Sequence, residues 1–184
     1  MTYYGSKELA ASFRTVRKNT LVVAQEIPED HYGFSPAPGC RTVAQTLVHM
    51  AVSLRFPEQI HFTEHRSNLE GVNFMAILGP MLAEEQVPRT KQQIVDLLQA
   101  EGDKWAGLLE TASEAFLGET VTYPPGMQPP ARSRFEMLLG VKEHEMHHRG
   151  QLMVAERMLG VTPHLTRQMQ ERFAAMQAAK GAGA

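Results

Sequence analysis

The residues that could do chemistry are concentrated in one stretch, "KEHEMHHRGQLMV", where His144, Glu145 and His148 spell H-E-x-x-H. Two histidines four residues apart share a face of an α-helix, because each residue advances about 100° around the axis. In a zinc protease that pair binds the metal, and the glutamate between them is the general base. Taken alone, the pair is only two rings side by side that need a third donor.

The surrounding sequence argues against the protease. The metzincin form requires a glycine and a third histidine where this chain has Gln151 and Val154, and Gly150 is one residue out of register. A downstream glutamate ligand would have to be Glu156, two turns along the same helix, or Glu171, near the end of the chain. No convincing strand is available to pair with a peptide substrate. A di-iron carboxylate site matches E-x-x-H twice, at Glu58 with His61 and at Glu145 with His148. Pro57, however, marks a helix break beside Glu58, and neither remaining helix offers a glutamate centred on its apolar face.

An upstream partner fits better. "TVAQTLVHMAVS" sets His49 beside an apolar stripe of Val43, Leu47, Met50 and Leu54, with Thr46, Ser53 and Phe56 on its own side. The His144/His148 face also carries Met137, Val141, Leu152, Ala155 and Leu159, which places both imidazoles in a stripe expected to be buried. An unpaired buried polar group costs about 1 to 3 kcal/mol, so the rings need either hydrogen-bond partners or a metal. His49, His144 and His148 on two facing helices, with a fourth position open, form the donor set of a catalytic divalent ion. Neutral imidazoles leave the ion's charge intact, so a bound water or thiol would be acidified toward neutral pH.

No residue is assigned as a catalytic acid, base or nucleophile. Gln45, Thr46, Ser53 and Gln151 are the polar neighbours expected to orient ligands or substrate. Glu145 falls at the edge of the ligand face, either as an orienting group or as a surface charge. His147 is expected outside the ligand set, and His31, His61, His65 and His164 are expected to be solvated. Gly150 inside a helix costs about 1 kcal/mol relative to alanine, which a close helix crossing or a subunit contact would explain.

The elements that must position these residues are helices. The first is expected over about Ser6–Glu26, stopped by Pro28 and the turn-rich "PEDHYGFSPAPGCR". Thr42 with Gln45, Thr90 with Gln93, and Ser133 with Glu136 each form a capping box that opens a further helix. Pro57 should kink or end the second helix, Gly79 and Pro80 should interrupt a short helix in "EGVNFMAILGPML", and Gly160 should end the helix that carries the histidine pair. An amphipathic segment after Pro163 is expected to fray into a disordered "AAKGAGA". This organisation makes residues 1–165 one bundle domain and residues 166–184 a C-terminal amphipathic helix and tail.

Composition narrows the function classes. At 184 residues with a formal net charge of −2, the chain has one core's worth of sequence and no basic cluster for nucleic acid. The first residues lack the apolar run of a secretory signal, and no stretch approaches the roughly 18 apolar residues of a membrane span, so a cytoplasmic protein without membrane contact is expected. One cysteine, Cys40, excludes an internal disulfide and a CxxC site, leaving histidine and carboxylate as metal donors.

Together, "RTVAQTLVHMAVS" with His49, "KEHEMHHRGQL" with His144 and His148, and the approach "IPEDHYGFSPAPGCRT" resemble the DinB/YfiT-like family of metalloenzymes over about Ser6 to Gly160. The resemblance implies an all-α, up-down-down-up four-helix bundle, frequently a homodimer; the short additional C-terminal helix is read from the residues after Pro163 and lies outside the resemblance. It implies a divalent metal on the three histidines, zinc or nickel foremost and iron or manganese as alternatives, acting on a small-molecule substrate. Better-understood relatives are transferases or isomerases that use a low-molecular-weight thiol such as bacillithiol or mycothiol, and hydrolysis is the other enzymatic reading. A non-enzymatic, stress-associated bundle protein with a structural metal is the alternative from a different class. The family's name reflects damage-inducible expression of one member, and nothing in this sequence shows such induction.

Overall fold

The computed structural model describes residues 4–181. Its long helices are α1 (Ser6–Glu26), α2 (Val43–Val52), α5 (Lys91–Thr111) and α7 (Arg134–Met158). Shorter pieces lie between them: the single turn α3 (Arg55–Pro57), a π-helical segment (Glu58–Thr63), α4 (Phe74–Glu84) and α6 (Glu114–Gly118). Helix α8 (His164–Gly181) follows the bundle. Helix α1 packs on α5 and α7, and α2 packs on the same two, so the first two long helices sit diagonally across the bundle. That arrangement demands a crossover connection and gives the expected four-helix bundle.

The helix starts follow local chemistry. Thr42, Thr90 and Ser133 each accept from the backbone N–H three residues on, while Gln45, Gln93 and Glu136 reach back to the cap residue. Helix α7 ends in a Schellman motif: Gly160 adopts φ +79°, Val161 N–H donates to the Glu156 carbonyl at 2.8 Å, and Gly160 N–H donates to that of Arg157 at 3.1 Å.

Three local expectations are corrected. Helix α4 runs through Gly79 and Pro80 without a break, because Pro80 and Ala76, whose carbonyl loses its donor, both face solvent where water can replace the bond. A two-stranded antiparallel ribbon, β1 (Thr120–Thr122) with β2 (Ala131–Ser133), flanks the start of α7. The C-terminal helix is 18 residues long, and the segment expected to be disordered is helical as far as Gly181; residues 182–184 lie outside the described residues.

A polar layer divides the core. On one side lie Val23, Ile27, Leu47, Met50, Leu98 and Leu152; on the other lie Leu9, Phe13, Leu54, Trp105, Leu109 and Leu138. Between them Arg17, 3% exposed, donates from Nε and Nη2 to the Glu145 carboxylate at 2.8 to 3.1 Å. The same guanidinium donates to the carbonyls of Leu98 on α5 (2.6 Å) and Met50 on α2 (3.1 Å), and Thr20 donates to Glu145 at 2.8 Å. A charge taken out of water survives only with this degree of satisfaction. Room for it is made by Gly102 of α5, where an added Cβ would stand 2.9 Å from Arg17 Cγ.

Candidate metal centre

Helix α2 presents His49, and α7 presents His144 and His148 one turn apart. Their Nε2 atoms converge: His144 Nε2 is 3.1 Å from His49 Nε2 and 3.1 Å from His148 Nε2. Tetrahedral ligands at about 2.0 to 2.1 Å from zinc stand roughly 3.4 Å apart, so this spacing suits one shared cation. A proton on His144 Nε2 could serve only one of its two neighbours, whereas a cation would serve all three lone pairs at once.

The groups behind the rings set the same tautomer. His49 Nδ1–H donates to Glu85 Oε1 at 2.7 Å, and His148 Nδ1–H donates to Gln151 Oε1 at 2.8 Å. Both leave Nε2 unprotonated and facing the cluster, the state a metal ligand needs. Gln151 in turn donates from Nε2 to His147 Nε2 at 3.0 Å, which places His147 outside the ligand set. Burial lowers the proton affinity of all three rings, most strongly His144, whose pKa falls to about 4, with the neighbouring imidazoles adding to the effect. At neutral pH their lone pairs are therefore free.

Glu85 was not among the expected residues. It follows the last turn of α4, is 5% exposed, and is held by Arg41, which donates from Nε at 2.6 Å and from Nη2 at 3.3 Å. Arg41, Glu85 and His49 thus form a chain of charge-assisted bonds into the cluster. No sequence signal joins them, since Glu85 lies 36 residues from His49 and the turn after α4 has no characteristic pattern.

A cleft of about 700 Å³ reaches the cluster at His148 and Glu85. Thr46, Gln86 and Gln151 supply polar wall, and Val43, Leu82 and Leu152 apolar wall. Thr46 bonds back to the Thr42 carbonyl (2.9 Å), Gln45 closes its capping box and donates to Gln86 (2.8 Å), and Ser53 ends α2 outside the cleft wall. Cys40 is exposed at the cleft.

The competing metal motifs come apart here. Glu145, the base of the protease spelling, is 1% exposed and faces Arg17 in the core, turned away from the cluster. Glu58 pairs with Lys104 at 2.7 Å, and His61 accepts from Arg134 at 2.9 Å, so the di-iron set is never assembled. His61 and His164, expected to be solvated, are 2% and 4% exposed. His61 is buried as the acceptor for a fully enclosed arginine, and His164, at the start of α8, faces Asn19 on α1 at 3.2 Å.

The model of the DinB superfamily matches residues 12–152, which include all three histidines. The chain belongs to the DinB superfamily. A crystal structure of the DinB-like protein YjoA from Bacillus subtilis superposes with a TM-score of 0.60 at 21% identity, covering 84% of this chain and 94% of that one. YfiT from Bacillus subtilis, described as a probable metal-dependent hydrolase with an unusual four-helix bundle topology, gives a TM-score of 0.65 at 14% identity, covering 88% and 91%. At these identities the likeness is one of fold. No curated protein sequence matches the chain.

Proposed function

We propose that this DinB superfamily member is a metal-dependent enzyme in which His49, His144 and His148 hold one divalent cation beside a cleft for a small-molecule substrate. The observation that carries the reading is the convergence of three Nε2 atoms, two of whose rings, His49 and His148, have their tautomers already set for ligation by Glu85 and Gln151. Imidazole donors suit zinc, nickel, iron and copper alike; we put zinc or nickel first, with iron or manganese as alternatives. Such a cation supplies Lewis acidity that makes a bound water or thiol acidic near neutral pH. The chain's own residues orient the ligands, hold their tautomers and shape the cleft.

Hydrolysis of an ester or amide is the reading we put first, supported by the description of YfiT. Transfer involving a low-molecular-weight thiol is the second, favoured by a cleft with room for a co-substrate beside an electrophile. We further propose a homodimer. An exposed stripe on α7, Met146, Val154 and Met158, flanks Gly150, where an added Cβ would meet nothing within 4 Å among the described residues. That geometry removes a close crossing within the chain as the reason for the glycine and favours a contact between copies. Among the described residues no helix is long and apolar enough to cross a membrane.

Metal analysis of protein purified without an affinity tag tests the centre. One equivalent is expected in the wild type and a large loss in His49→Ala; unchanged content would remove the three-histidine site. Chelation separates the classes: retained helicity after metal removal supports an enzyme centre, and unfolding supports the structural-metal alternative.

A further inference from the structure

The cleft wall is mostly neutral. Its two formally charged residues are Glu85 and Arg41, and they differ in what they still offer. Glu85 is buried with both oxygens engaged, Oε1 by His49 and Arg41 and Oε2 by Arg41. Arg41 has five N–H donors in a planar fork, and Glu85 takes one from Nε and one from Nη2. The other three, both on Nη1 and one on Nη2, meet no acceptor among the described residues, and the side chain is 37% exposed. Glu85 also fixes the plane of the guanidinium, which lowers the entropy lost when its free edge is used.

We propose that the free edge of Arg41 is the anion subsite of the cleft, and that the substrate is a small amphipathic molecule carrying a carboxylate beside an apolar body. The fork pairs with the two oxygens of a carboxylate, and Val43, Leu82 and Leu152 receive the apolar part. One arginine without a neighbouring lysine or second arginine in the wall suits a single negative charge better than a phosphate dianion. Arg41 is then a specificity residue, touching the substrate at a point away from the reacting group. This inference rests on the metal-centre reading of the three histidines.

The test loads tag-free protein with Co²⁺ and follows the sulfur-to-cobalt absorption as 2-benzyl-3-mercaptopropanoate or its amide, 2-benzyl-3-mercaptopropanamide, is titrated. The thiol reports the metal, and the second group reports Arg41. Wild type should bind the carboxylate at least ten-fold more tightly than the amide. Arg41→Gln should bring the ratio of the two affinities close to one, and Arg41→Lys should restore part of it. Equal affinities in the wild type, or a preference that persists in Arg41→Gln, would overturn the subsite while leaving the metal centre standing. Failure of cobalt to bind the wild type at all would remove the metal reading and the subsite with it. The cobalt spectrum before probe addition shows separately whether each variant keeps its centre.

Discussion

Arg17 on α1 and Glu145 on α7, 128 residues apart, form a buried ion pair whose guanidinium also bonds to the backbones of α2 and α5. One side chain therefore ties together all four long helices, and the glutamate embedded in the histidine motif belongs to that tie.

Replacing Glu145 should cost stability and spare the metal. Breaking one partner of a buried pair costs about 3 to 5 kcal/mol, so Glu145→Ala should lower the urea midpoint substantially, with Glu145→Gln closer to wild type. Metal content of the folded fraction should stay at the wild-type level. A variant of normal stability with an inactive, metal-loaded centre would instead restore Glu145 as a catalytic base.

Two glycines of α5 should respond in opposite directions. Alanine is favoured over glycine in a helix by about 1 kcal/mol, and Gly107→Ala meets nothing within 4 Å, so that variant should gain stability. Gly102→Ala places its Cβ against Arg17 and should lose about 1 to 3 kcal/mol through overpacking. Thermal melts of the pair, compared with wild type, read the sign directly.

Much of this was legible in sequence because it is local. Capping boxes at Thr42, Thr90 and Ser133 and the stop at Gly160 involve residues within a few positions of one another, and each helix begins or ends where they indicate. Bringing His49 to the His144/His148 pair required only that two well-marked helices face each other. Glu145 was ambiguous because it lies 60° to 100° from both ligands, and helical periodicity cannot tell the edge of one face from the centre of the next. What resolves it is Arg17, a cation on the buried stripe of α1 that needs an anion from a distant helix. Arg41 and Glu85 were invisible for a similar reason: their pairing depends on how two irregular segments pack.

Glu85 should act on metal affinity more than on the fold. Partners that orient a metal-binding histidine typically contribute 10- to 100-fold in affinity, so Glu85→Ala should weaken cobalt binding by about that factor. Glu85→Gln keeps an acceptor for His49 Nδ1–H and should lose less. Competition titrations with a chromogenic chelator measure both. Equal affinities for wild type and Glu85→Ala would show that His49 is held by packing alone.

Glu156 predicts a pH dependence of stability. Neither of its carboxylate oxygens has a partner among the described residues, it is fully buried, and burial followed by the charge of Glu26 raises its pKa to about 7. Between the unfolded carboxylate value near 4.5 and about 7 the folded state holds the extra proton, so stability falls as pH rises through that window. A shift of this size corresponds to on the order of 3 kcal/mol. Glu156→Gln should raise the melting temperature at pH 8, change it little at pH 5, and flatten the profile between. An unchanged slope in the variant would assign the pH dependence to other groups.

The assembly proposal is read by sedimentation velocity. The wild type is expected to sediment as a dimer at micromolar concentration, and Met158→Asp, which puts a charge at the end of the exposed α7 stripe, to shift it toward monomer with unchanged helical content; a monomeric wild type would overturn the assembly.

The capping boxes also serve as rulers. His49 stands seven residues after Thr42, close to two full turns, and His144 stands eleven after Ser133, close to three. The direction in which each imidazole points is thus counted from a hydroxyl at the mouth of its helix. Lengthening or shortening the loops ahead of Thr42 or Ser133 leaves that count intact, whereas inserting one residue between cap and ligand turns the ring by about 100°. The loops ahead of Thr42 and Ser133 can therefore vary in length without changing the face of the helix on which each ring stands.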